Sequence, residues 1–184
     1  MIHATTSFYL ALISQAPAAT PTASLPGCST DIEALFEAGD FPAAAQAAED
    51  CFTRNPHPRL LYFAGQGHQN SGRIGAALHA YLEFLRDGSD EPRLLNDARE
   101  RVDKLRPSTT AIVFSVQYNG DAPGEEPQIR LKHSDNDPLP LIVDLQDCEG
   151  SRGARTLHLE RGLWQVEIVA PGFVTENRLL RVNA

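Results

Sequence analysis

Apolar residues recur every three to four positions through the first part of the chain and every second position through the last, and the change falls near residue 109. Residues 31–38 carry Ile32, Leu35 and Phe36, and residues 41–52 carry an almost all-alanine face of Ala44, Ala45, Ala47 and Ala48 that ends in Cys51 and Phe52. Residues 59–69 place Leu60, Leu61 and Ala64 together. The cleanest stripe is Ile74, Ala77, Leu78, Tyr81, Leu82 and Leu85, the i, i+3, i+4, i+7 spacing of an amphipathic helix. Residues 92–105 close the series with Leu94, Leu95, Ala98, Val102 and Leu105; Pro92 takes the first turn, where its missing N–H costs nothing, behind a cap at Ser89 or Asp90. Gly39-Asp40 and Ser71-Gly72 break the pattern within pairs of helices, and Asn55-Pro56-His57-Pro58 and Asp87-Gly88-Ser89 break it between pairs. Two helical hairpins and one further helix follow.

Beyond residue 109 the apolar positions alternate. Ile112, Phe114, Val116 and Tyr118 mark the first strand, and shorter runs follow at 128–132, 139–145, 155–160, 163–169 and 178–182. Asn119-Gly120-Asp121, Asp135-Asn136-Asp137-Pro138, Gly150-Ser151-Arg152-Gly153 and Pro171-Gly172 separate them, and Arg161-Gly162 between two alternating runs predicts a hairpin. About six or seven short antiparallel strands point to a small β-sandwich. The expected fold class is therefore α+β in two segregated parts: a signal-like or disordered segment over 1–27, a helical domain of about five helices over 28–106, and a sandwich over 109–184.

The helical part repeats itself. Gly39-Asp40-Phe41 with Ala44 and Gly72-Arg73-Ile74 with Ala77 share the order glycine, charged, apolar, two residues, alanine, and lie 33 residues apart. With Gly65, Tyr81 and Pro56 in place, this resembles the tetratricopeptide (TPR) repeat, whose period is about 34 residues and whose small residues sit where helices cross. Ser89 stands where the second closing proline belongs, Ala48 where a tyrosine is usual, and Cys28 where a bulky aromatic opens the first helix. The resemblance implies a groove that binds a peptide or partner protein, lined by the first helix of each pair: Glu33, Glu37, Tyr62, Gln66 and Gln69. It also brings Cys28 and Cys51 to one end of the first hairpin. Either they form a disulfide, closing a loop worth about 3 kcal/mol in the chain-entropy view, or they remain two thiols, as a reducing compartment dictates.

The segment 159–173, with Gly162, Trp164, Val166, Ile168, Pro171, Gly172 and Phe173, resembles the last hairpin of PEGA and carboxypeptidase-regulatory-like domains. Those are small non-catalytic sandwiches of bacterial envelope proteins. The Pro-Glu-Gly-Ala signature itself is absent.

Charge narrows the partner. Sixteen Lys and Arg against 24 Asp and Glu leave a net charge of -8, the wrong sign for nucleic acid or an anionic membrane surface. Residues 1–53 contain no Lys or Arg but hold Asp31, Glu33, Glu37, Asp40, Glu49 and Asp50, so the first hairpin presents an acidic face, either a solvated surface or one that meets a basic peptide. The apolar run 8–13 and the following alanines read as a secretory signal, too short to span a bilayer; Leu25-Pro26-Gly27-Cys28 loosely matches a lipoprotein box. Localisation is accordingly expected to be exported, periplasmic or cell envelope, with a cytoplasmic protein as the alternative if 1–27 is not a signal.

No phosphate-binding glycine loop, His-Glu-x-x-His, Cys-x-x-Cys or Gly-x-Ser-x-Gly occurs. His68 and His79 lie on adjacent helices and would need a third donor to hold a metal. His57, between two prolines, is expected in solvent. Asp135, Asn136 and Asp137 form an oxygen-rich turn without the glycine and glutamate of an EF-hand. Trp164 shares a strand face with Val166 and Ile168 and reads as core. Cys148, flanked by carboxylates, is a poor nucleophile.

The reading is a non-catalytic interaction or scaffolding protein, with no cofactor, no metal and no catalytic residues assigned, binding a protein or peptide. One alternative is a carbohydrate- or calcium-binding adhesion module, which requires Asp135, Asp137 and Trp164 to face solvent. The other is the regulatory fragment of a larger enzyme.

Overall fold

A computed structural model describes residues 28–115, 128–133, 141–144, 154–169 and 175–183. The N-terminal segment 1–27, the 135–137 turn and Cys148 lie outside the described residues. Among the described residues five helices come first, α1 (Cys28–Glu37), α2 (Phe41–Arg54), α3 (Pro58–Asn70), α4 (Ile74–Asp87) and α5 (Pro92–Leu105). Six strands follow, β1 (Thr109–Ser115), β2 (Gln128–His133), β3 (Leu141–Asp144), β4 (Ala154–Glu160), β5 (Gly162–Val169) and β6 (Glu176–Val182), all antiparallel and in two sheets. The α+β arrangement with helices and strands segregated along the chain is thus the one the periodicity predicts.

Local chemistry sets the helix ends. Asp40 caps α2 by accepting the Ala43 amide at 3.2 Å. His57 is partly buried rather than left in solvent, because its Nδ1 caps α3 by accepting the Arg59 amide at 3.3 Å. At α5 neither Ser89 nor Asp90 is the cap residue; the helix starts directly at Pro92, so Glu91 holds that place without a side-chain bond. Ser89 Oγ instead accepts the Glu91 amide at 3.2 Å, closing the turn one step earlier.

The helices stack as antiparallel neighbours around two apolar clusters. Ile32, Ala48, Cys51, Leu60, Ala64 and Ala80 make the first; Tyr62, Ala77, Leu78, Tyr81, Phe84, Ala98, Val102 and Leu105 make the second. Gly65 lies against the Tyr81 ring so closely that a Cβ there would come within 2.7 Å of Tyr81 Cε1. The small residue on α3 is what lets the large ring on α4 pack against it.

The sheets are β1–β4 and β3–β2–β5–β6. Their inward rows, Leu157 and Leu159 from one and Ile129, Leu131, Leu141, Val143, Trp164, Val166 and Val182 from the other, share one core. The expected hairpin at Arg161-Gly162 is not one. β4 pairs with β1, β5 pairs with β2 and β6, and the chain crosses at Arg161 from one sheet to the other. A single residue between strands cannot form a two-residue turn, and Gly162 makes the corner at φ 149, a conformation other residues rarely adopt. A Cβ on Gly162 would overlap the His133 ring, approaching Cε1 at 2.9 Å.

Helices and strands meet along one seam. Ala76 of α4 belongs to the sandwich core, and β4, whose one strand neighbour among the described residues is β1, has α4 packed against it. Glu160 Oε2 accepts the Gly75 amide at 2.6 Å, placing a carboxylate at the positive end of α4, whose own N-cap residue, Arg73, makes no side-chain cap bond. Further along α4, Glu83 pairs with Arg155 and, at 2.6 Å, with Arg86.

Candidate functional site

The face shared by the first helices of successive pairs is held by a polar ladder. Tyr62, on α3, donates its hydroxyl to Asp97 Oδ2 on α5 at 2.5 Å, and Gln66 Nε2 donates to the Tyr62 oxygen at 3.1 Å. Arg101 Nε bonds Asp97 one helical turn away, and its NH1 donates to Gln69 Oε1 at 2.9 Å. Tyr81, on α4, donates to the same Gln69 oxygen at 3.1 Å, with the Arg101 guanidinium 5.8 Å from its ring centre. Three helices are tied by six side chains. Of the five groove residues predicted, the structure brings Tyr62, Gln66 and Gln69 together; Glu33 and Glu37 are exposed on α1, outside the ladder.

The ladder's electrostatics are those of a clamp. Burial, reinforced by the bond to Asp97, pushes the Tyr62 hydroxyl up to about 12, and burial raises Tyr81 as well. Partial burial works to raise Asp97, but the bonds from Tyr62 and Arg101 outweigh it and hold the carboxyl below its ordinary value. Both phenols therefore stay protonated across the physiological range and act as donors.

Asp97 and Arg101 escaped the sequence reading, although a signal was present. Pro58-Arg59-Leu60-Leu61 recurs as Pro92-Arg93-Leu94-Leu95, 34 residues on, with Ala64 matched by Ala98. By that recurrence α5 matches α3 position for position, and its i, i+4 pair Asp97–Arg101 meets the Tyr62 side of α3.

The two histidines sit in separate settings. His68 is 1% exposed, with Nε2 at 2.7 Å from Glu49 Oε1 and Nδ1 at 3.0 Å from Arg73 NH1. A guanidinium only donates, so Nδ1 accepts, and Nε2 carries the hydrogen bonded to Glu49. Both ring nitrogens are thereby committed. His79 sits at the seam beside Glu83, 4.0 Å away, and burial, aided by Arg155 and Arg86, lowers it to about 3. Among the described residues no group of three His, Cys, Asp or Glu side chains is arranged to hold a metal ion, and no helix is long and apolar enough to cross a membrane.

Trp164 is 2% exposed and donates its indole N–H to the Glu160 carbonyl at 3.0 Å. The solvent-facing indole that an adhesion module requires is therefore a core side chain.

At the other end of the stack Cys28 and Cys51 form a disulfide that ties the first turn of α1 to the last turn of α2. Arg54 lies over it, with NH2 3.4 Å from Cys51 Sγ and 4.0 Å from Cys28 Sγ. A sulfur so bonded cannot also carry a lipid thioether.

Comparison of this chain with protein-family models, with curated proteins and with solved structures finds no match.

Proposed function

We propose that the chain is a non-catalytic interaction or scaffolding protein of the bacterial cell envelope, a TPR-like stack followed by a PEGA-like sandwich, binding a peptide or partner protein through the face built by α1, α3 and α5. The observation that carries this reading is the ladder from Gln66 through Tyr62, Asp97 and Arg101 to Gln69 and Tyr81. It fixes the polar side chains of α3 and α5 before any ligand arrives, which lowers the entropy lost on binding. Tyrosines held protonated donate hydrogen bonds and do not attack, which supports a binding role. The Pro-Arg-Leu-Leu recurrence supports the repeat, and the Cys28–Cys51 bridge supports an oxidising compartment.

The test is cross-linking in the native host, comparing the wild-type chain with Glu33→Lys/Glu37→Lys, with Gln66→Ala and with Leu179→Ser on the exposed sandwich surface. Loss of the cross-linked partner in the first two and its retention in the third is the expected outcome. Retention in both groove variants overturns the assignment.

A further inference from the structure

We propose that the Cys28–Cys51 bridge is an exchange-active disulfide: an external thiolate attacks Cys28 Sγ, Cys51 leaves as a thiolate beside Arg54, and completed reduction unties α1 from the stack. This does not depend on what the groove binds.

The two sulfurs differ in reach. Cys28 is partly exposed, whereas Cys51 is 4% exposed and part of the first apolar cluster. Exchange needs the attacking, central and leaving sulfurs close to a line, so a thiolate from solvent meets Cys28 and expels Cys51 inward. There the departing charge finds Arg54, the cation nearer to Cys51 than to Cys28. Its position is built in: Arg54 follows Cys51 by three residues on α2, and its Nε donates to the Asp50 carbonyl at 3.1 Å. A guanidinium remains charged at any working pH, gains strongly from a thiolate and little from a neutral disulfide, and so favours the reduced form and the departure of Cys51. Asp50, Glu49 and Asp31 are the carboxylates nearest in sequence; Asp50 Oδ1 is engaged by the Gln46 amide at 2.8 Å and Glu49 Oε1 by His68 at 2.7 Å.

The exchange balances with a thiol as reductant. The first thiolate forms a mixed disulfide with Cys28 as the Cys28–Cys51 bond breaks and its electron pair stays on Cys51. A second thiolate attacks the outer sulfur, releasing Cys28 as a thiolate and leaving the two reductant thiols joined as their own disulfide. Two electrons pass to the protein.

What the bridge holds is small. Apart from it, α1 is anchored by fully buried Ile32 and by Phe36, whose ring lies 6.1 Å from Phe41 and 6.3 Å from Phe63. A ten-residue helix has little stability of its own. Cutting the covalent tie removes the one covalent anchor at the start of α1, and Glu33 and Glu37 lie on the helix it releases.

The experiment treats the oxidised full-length chain with limiting glutathione, quenches with acid and assigns each cysteine by differential alkylation and peptide mass spectrometry. Glutathione on Cys28 with Cys51 free is expected; the adduct on Cys51, or a chain from the native host that lacks the bridge, overturns the proposal. Arg54→Gln is expected to slow reduction about three- to tenfold and Arg54→Lys to keep most of the rate; an unchanged rate in folded Arg54→Gln overturns the role of the cation. Should that variant not fold, the position of the wild-type adduct decides alone. Hydrogen exchange completes the test: on reduction α1 amides lose protection while those of α3 and α4 keep it, and equal α1 protection in both states overturns the untying.

Discussion

The Glu160 carboxylate and the Gly75 amide meet at 2.6 Å across 85 residues of chain, so the last residue of β4 caps the first turn of α4. A Cβ on Gly75 would fall onto that carboxylate and lie 2.8 Å from the His158 carbonyl oxygen. Glu160→Ala is expected to cost about 1–2 kcal/mol by loss of a charged cap. Gly75→Ala is expected to cost about 1–3 kcal/mol by forcing helix and strand apart. Urea unfolding of both variants and the double variant measures this, and the double variant should lose less than the sum, since truncating Glu160 removes one of the two clashes.

Gly162→Ala is expected to be among the most damaging single changes in the sandwich, costing more than about 2 kcal/mol from backbone strain and overlap with His133. His133→Ala in the same chain should recover the overlap but not the strain. Full recovery in thermal melts would show that φ at this corner is not constrained.

Tyr62→Phe is expected to cost about 1–2 kcal/mol, since Asp97 and Gln66 lose a buried partner while the ring stays. Asp97, held below its ordinary value, contributes stability that is complete above that value and lost as pH falls through the lowered one. Tyr62→Phe removes one of the bonds that lower it, so the acid limb of the stability curve should become shallower.

His79 makes a second pH dependence. Its imidazole is neutral in the folded chain down to about 3 but protonated in the unfolded chain below 6.5. The unfolded state then binds the extra proton, so stability falls on acidification between those values, by up to about 1.4 kcal/mol per pH unit, and levels off below. Glu83 stands 4.0 Å away and opposes this, but Arg155 and Arg86 already engage it. His79→Asn should flatten the slope when urea midpoints near about pH 5 and about pH 7 are compared; identical slopes would refute the assignment.

Much of this was legible from periodicity. The stripe from Ile74 to Leu85 predicts α4, and alternation predicts the strand positions of Trp164 and Val166, because both signals are local. The corner at Gly162 was not, since a glycine after a charged residue serves a hairpin or a crossing between sheets equally well, and only pairing decides. The prolines flanking His57 mark a linker without saying that the imidazole can reach back to the Arg59 amide. Tyr62, Gln66 and Gln69 share a face of α3 by their spacing, whereas Asp97 and Arg101 come beside them only through the match of α5 to α3. The Glu160–Gly75 bond had no signal at all, being a contact between residues 85 apart with no pattern linking them.

Because α4 is both the second helix of its hairpin and, through Ala76 and Gly75, a cover for the sandwich, it answers to two sets of neighbours at once. A tilt of that one rod would disturb the packing on both of its sides. Helical stack and strands are thereby joined through a single rod that belongs to both cores.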